Sequence, residues 1–176
     1  MTAETVSAAA GRPSPGVVFE REQGVTHLSA RSGLARMSVY VDAPRAAMRE
    51  VFDAVAEAGL NVYLIKIHEN WLSFAVSAED TDAAIAVCEA MDFRCALARS
   101  CAIVSVVAPA MRDLSGVLWR IIACMREAGV DVLELADAYN AVSCLIHQEE
   151  LQEALDALGR TFGVELVQDD NPLDPW

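Results

Sequence analysis

Apolar and polar positions along this chain fall into two rhythms, and the rhythms recur in the same order twice. The run RMSVYV from Arg36 and the run AIVSVV from Ala102 are rich in β-branched residues, which suit a pleated surface. A loop follows each. A period of 3.6 then takes over. Met48, Val51, Phe52 and Val55 recur at i, i+3, i+4 and i+7, which predicts a helix over 46–58. Val117, Ile121 and Met125 recur at i, i+4 and i+8, which predicts a helix over 117–128. Gly59 and Gly129 follow at once, where a helix favours a left-handed residue. Further strands are expected at NVYLIKI and WLSFAV in the first half, and at VDVLEL and NAVSCLI in the second. Second helices begin near Glu79 and Glu149, with Ala83, Val87 and Met91 on one face and Leu151, Leu155 and Leu158 on the other's. RCALARS and VELVQ read as the closing strands.

The two halves are copies of each other. AEAGLNVYLI from Ala56 aligns with REAGVDVLEL from Arg126 at an offset of 70 residues, as does WLSFAV from Trp71 with AVSCLI from Ala141. RMSVYV from Arg36 aligns with IVSVVA from Ile103 at an offset of 67, so the second copy has about three extra residues around Ala110, Met111 and Arg112. The order β-α-β-β-α-β, twice, is the ferredoxin-like split arrangement. The fold class is therefore α+β: two ferredoxin-like βαββαβ modules in tandem, antiparallel sheets with helices on one face. The bare sheet face needs cover, so modules or chains should pair. Ahead of the first copy, GVTHLSARSGLARMSV holds two strand-like stretches about an expected turn at Ser32-Gly33. The first of these is an extra strand. The expected division is 1–23 disordered, 24–100 the first module with its leading strand, 101–168 the second module, and 169–176 a tail.

Composition narrows the chemistry. Apolar residues make up 54% of the chain and aromatics only 6%, so the core must be aliphatic. A net charge of -13 repels phosphate backbones, which argues against nucleic acid. No apolar run approaches the ~18 residues of a membrane helix, and MTAETVSAAAGRPSPG does not read as a signal peptide. Five cysteines without C-x-x-C spacing read as reduced, buried thiols of a cytoplasmic protein. Three scattered histidines, His27, His68 and His147, argue against a zinc site, and no cofactor loop is present.

The residues quoted, above all VTHLSARSGLARMSVYVDAP, VFDAVAEAGLNVYLI, IVSVVAPAMRDLSGVL and REAGVDVLEL, resemble paired ACT domains. More narrowly they resemble the regulatory region of aspartate kinases, and the chain has the size of the separate small regulatory subunit. The resemblance implies that the first module is inserted into the second and that the leading strand, about Val25 to Ala30, joins the second sheet. It implies a homodimer through the ACT modules, a possible kinase-bearing catalytic subunit as partner, and a small amino-acid effector, Lys or Thr. It also implies no catalysis by this chain, since only about 24 residues precede the resemblance where a kinase domain would lie.

The resemblance places the ligand near the loop after each first strand and the start of each second strand. A helix N-terminus there offers free N–H groups to a carboxylate. In the first copy the matching residues are Asp42, Pro44, Arg45, Ala47, Asn61, Val62 and Glu69; in the second they are Met111, Arg112, Gly116, Val117, Asp131 and Val132. Arg45 replaces a family glycine and reads as a solvated loop arginine, with a blocked site or a guanidinium that binds a carboxylate as the other readings. Asp131 replaces an amide that donates a hydrogen bond, which favours a cationic ligand or a plain polar strand edge. The family's turn hydroxyls are largely missing, as Ile67-His68-Glu69 and Ala136-Asp137-Ala138 show. His68 reads as an exposed turn residue, with a pH-sensitive contact as the other reading. Trp119 marks either a subunit contact or ordinary core packing.

Three functions compete at this point. One is the amino-acid-responsive regulatory subunit. Another is a free-standing ACT pair that acts as a dimerisation scaffold or senses a different small molecule. A third, an enzyme on the same scaffold, finds no nucleophile–base pair, metal cluster or cofactor loop to support it.

Overall fold

The computed structural model describes residues 24–41, 44–111 and 114–167. The elements are β1 (His27–Tyr40), α1 (Pro44–Glu57), β2 (Tyr63–Ile67), β3 (Trp71–Ser77), α2 (Thr81–Ala90), β4 (Arg94–Val107), α3 (Val117–Glu127), β5 (Glu134–Asp137), β6 (Ala141–His147), a 3-10 turn (Gln148–Glu150) and α4 (Leu151–Phe162). The strands form one antiparallel six-stranded sheet in the order β2-β3-β1-β4-β6-β5. The α+β class and the ferredoxin-like pairing hold.

Two strands run through both halves. The expected turn at Ser32-Gly33 is instead a bulge inside the 14-residue β1, and the expected break between RCALARS and AIVSVV is absent from the 14-residue β4. Arg31 pairs with Ile103, Leu34 with Cys101 and Arg36 with Ala98. Ser32 and Gly33 thus stand opposite Ala102 alone, and Arg99 and Ser100 opposite Ala35 alone. One extra residue on each strand reverses its inside–outside alternation. Leu28 therefore faces the second core, while Ala35, Met37 and Val39 face the first. In β4, Cys95 and Leu97 pack on the first core and Ala102, Val104 and Val106 in the second. Gly33 (φ 71°) and Ser100 (φ 54°) are both left-handed.

The ladder has a two-fold symmetry. Adding 67 to a β1 number and subtracting 67 from its β4 partner returns another pair of the same ladder, so His27↔Val107 becomes Arg94↔Tyr40. Gly33 and Ser100 exchange in the same way, since 33 + 67 = 100.

The leading strand joins the second unit, as the resemblance implied: His27 to Arg31 pair with Val107 to Ile103. It takes the fourth place in that sheet. VELVQ consequently closes nothing; it makes a single parallel bridge, Leu28↔Leu166, outside the leading strand. Two helix faces also differ from expectation. In α2 the buried line is Thr81, Ala84 and Cys88, with Ala83 exposed; in α4 it is Ala154, Ala157 and Leu158, with Leu151 and Leu155 at the margin. Small residues let these helices lie close on the sheet, which hydrophobic periodicity does not register.

The helices cover one face of each unit and build the two aliphatic cores. The bare faces cover each other. Leu34, Leu64 and Ala75 of the first unit cluster with Cys101 and Leu145 of the second, and Tyr63, Ala98, Ile103 and Leu133 pack around them.

Candidate functional site

The loops that follow the first strands are fixed by the turns beside them. The Val41 N–H donates to the Asn70 carbonyl (2.9 Å), which ties the end of β1 to the β2–β3 turn carrying Glu69. In the second unit the Ala108 and Met111 N–H groups donate to the carbonyls of Asn140 and Tyr139 (2.8 and 3.2 Å). Each unit therefore gathers its first loop and its hairpin turn at one end.

The candidate residues divide accordingly. Asp42 and Arg112 lie outside the described residues, as do the side chains of Pro44, Arg45 and Ala47, whose backbone opens α1. Glu69 is exposed in the turn at that end. Asn61 is exposed and Val62 half-buried against the first core, at the far end of α1. Fourteen residues of helix separate the two groups by about 21 Å. In the second unit the side chains of Met111 and Val117 are buried in the core. Gly116 is the residue before α3, at φ 79°, with nothing within 4 Å of where a Cβ would stand. That open, left-handed position presents bare backbone at a helix N-terminus. Asp131 and Val132 lie past the other end of α3, about 16 Å away along its eleven residues. Within one unit, then, the structure does not bring the loop set and the second-strand set together.

Other groups were not foreseen at these ends. The Asp131 N–H points at the Glu150 carboxylate (3.3 and 3.4 Å), so two acidic side chains share that corner. The His68 ring stacks on Trp71, with centroids 3.7 Å apart and planes 14° from parallel, and the His68 N–H closes the turn on the Trp71 carbonyl. The sequence placed His68 in an exposed turn, which holds, but gave no sign of the stack. Arg94 lies over the Tyr40 ring at 5.2 Å, and Tyr40 pairs across strands with Trp71. Arg94, Tyr40, Trp71 and His68 thus form a row at the same end as Glu69. Trp119 is 74% exposed and packs in no core; Leu118 and Ile122 are exposed beside it. The symmetry-related stretch of α1 carries an Arg49–Asp53 ion pair instead. All five cysteines are free thiols. Among the described residues no group of three or more His, Cys, Asp or Glu could hold a metal, and no helix is long and apolar enough to cross a membrane.

Residues 97–160 match the family profile described as ACT domain. Over 113 residues the chain is 28% identical to aspartokinase 1 of Bacillus subtilis, which covers 64% of this chain and 28% of the relative. The chain therefore spans under a third of that protein. The ligand-free regulatory subunit of aspartate kinase from Thermus thermophilus superposes with a TM-score of 0.72 at 22% identity, over 80% of this chain and 99% of that one. Aspartokinase III of E. coli, in complex with lysine and aspartate, superposes with a TM-score of 0.65 at 12% identity, over 78% of this chain and 33% of that one.

Proposed function

We propose that this chain, which carries an ACT domain and the paired fold of aspartate kinase regulatory regions, is an amino-acid-binding regulatory subunit without catalysis of its own. Residues 24–100 and 101–168 are read as its two ACT modules, with 27–31 lent to the second sheet. The observation that carries the reading is coverage: the fold accounts for 99% of a stand-alone regulatory subunit and a third of a whole kinase.

The effector proposed is a small amino acid, lysine or threonine, seated between the loop set (Asp42, Pro44, Arg45, Ala47, Glu69; Met111, Arg112, Gly116, Val117) and the second-strand set (Asn61, Val62; Asp131, Val132). Helix N-termini suit its carboxylate and the acidic groups suit its ammonium. Because these sets stand at opposite ends of a helix within each unit, two copies of the chain would complete a site that one unit leaves divided. A homodimer also accounts for the exposed apolar face of α3, for the exposed Ile65 and Ile67 on the edge strand β2, and for the second edge at β5. A kinase-bearing catalytic subunit is the proposed partner, and free thiols fit a cytoplasmic setting.

The test is the melting temperature of the chain against each of the twenty amino acids. A ligand that binds only the folded state raises it. A selective rise with lysine or threonine that Asp42→Ala abolishes is expected. No rise with any amino acid would refute effector binding by this chain alone. A second reading, a free-standing ACT pair that scaffolds or senses another molecule, is favoured by the Glu150 carboxylate, which takes up the Asp131 backbone N–H at that corner and, with an acidic residue at 131, favours a cationic group over a ligand carboxylate.

A further inference from the structure

The two bare sheet faces meet in a seam, and the two-fold symmetry makes one side of that seam a control for the other. On one side stand Leu64 and Ile103, both in the apolar cluster. The matching positions on the other side are 64 + 70 = 134 and 103 − 67 = 36, and these are Glu134 and Arg36. Their charged groups lie 3.7 Å apart, with side chains 5% and 26% exposed. Neither carboxylate oxygen of Glu134 has a hydrogen-bond partner, nor does Nε of Arg36. On the first side Arg31, which pairs with Ile103, also lies over the Tyr63 ring at 5.0 Å, where the second side has Ala98 and Leu133. The first edge thus meets through Leu64 and Ile103 with an arginine stacked on a tyrosine at its margin, and the second is closed by a charge pair whose desolvation the geometry compensates poorly.

The pair sits beside the double bulge. Both strands that connect the units change phase beside the Leu34–Cys101 pair, with the left-handed Gly33 on one side of that pair and the left-handed Ser100 on the other. Among the described residues no other strand joins the units, so a change in the angle between them is taken up there. Opening the apolar edge exposes hydrocarbon to water. Opening the charged edge returns two ions to water and recovers much of their burial cost.

We infer that Arg36 and Glu134 form a latch across the seam, and that the two units part on that side about a hinge at Gly33 and Ser100. The apolar edge at Leu64 and Ile103 stays closed and serves as the pivot's fixed side. A signal in one unit reaches the other by opening or closing this latch. This purpose rests on the regulatory reading, but the motion does not.

The test swaps one edge for the other. In the unliganded full-length chain, R36I/E134L installs the residues that the symmetry-related edge already carries. Hydrogen exchange is followed by mass spectrometry at β5 and, as the internal control, at β2. The double variant is expected to slow exchange at β5 by about tenfold or more relative to wild type, with β2 unchanged. It should melt no lower than wild type, whereas R36I alone, which strands the Glu134 carboxylate, should melt lower than either. Equal exchange at β5 in wild type and double variant would overturn the latch, as would an R36I variant as stable as wild type. Either failure leaves the amino-acid melting test untouched, because no effector is present.

Discussion

Replacing Gly33 by alanine isolates the conformational cost of the bulge that lets one strand serve two cores. At φ 71° an L-residue pays roughly 1–2 kcal/mol for the left-handed region. No atom lies within 4 Å of the new methyl, so no clash adds to this. The unfolded chain loses freedom on the same change, which offsets about 0.4–1 kcal/mol. The net destabilisation expected is about 1 kcal/mol, or about 2–4 °C in a chain of this size. The hydrogen bond from the Gly33 N–H to the Gln148 side chain (2.7 Å) survives the substitution, since it uses backbone. Ser100 supplies the reciprocal experiment, for it already holds a side chain at φ 54° in the symmetry-related place. Ser100→Gly should stabilise by up to about 1 kcal/mol, from the same two terms with reversed sign. Gly33→Asn should cost less than Gly33→Ala, because asparagine tolerates the left-handed region. Urea unfolding followed by circular dichroism measures all three, with an unchanged slope showing that the compactness of the end states is untouched. Like-signed effects at Gly33 and Ser100, or a neutral Gly33→Ala, would refute the reasoning.

Phe74 is the largest fully buried side chain, at the centre of the first core, and Phe74→Ala should cost about 3–5 kcal/mol in the same urea experiment. Trp119→Glu should leave the circular dichroism spectrum intact but lower the mass found by light scattering; a dimer that persists would remove α3 from the interface. Burial pushes the Cys144 thiol up to about 12 from an ordinary 9.0, and burial followed by the neighbouring Cys95 thiol pushes Cys88 up as well. The unfolded chain then gives up these protons first, so their contribution is intact below pH 9 and is lost as pH rises from there toward 12. Melting temperatures between pH 8 and 11 should fall, and Cys144→Ala should flatten part of that slope.

Much of the fold was legible because it follows from local rules. The repeat at offsets of 67 and 70, the helical stripes Val51–Val55 and Val117–Ile121–Met125, and the glycines after α1 and α3 each depend on neighbours a turn or two away. What failed depends on distant neighbours. Ser32-Gly33 carries turn residues and reads as a turn, yet the same residues serve a bulge when a partner strand continues on either side. The α2 face was misread because alanine scores weakly in any hydrophobic pattern while its size decides how close a helix can lie.

By itself the sequence determined the elements, their duplicated order, the aliphatic cores and the family likeness, since each is written in spacing and residue type. Tertiary structure alone decided that the leading strand belongs to the second unit, that two strands are shared, and that the bare faces close on one another. It also set Arg36 against Glu134, nearly a hundred positions apart, and Gly33 and Ser100 on either side of one Leu34–Cys101 pair. No local pattern encodes such pairs. They arise because a two-fold ladder brings symmetry-related positions into one seam, where a charge on one edge faces the burial that leucine and isoleucine fill on the other.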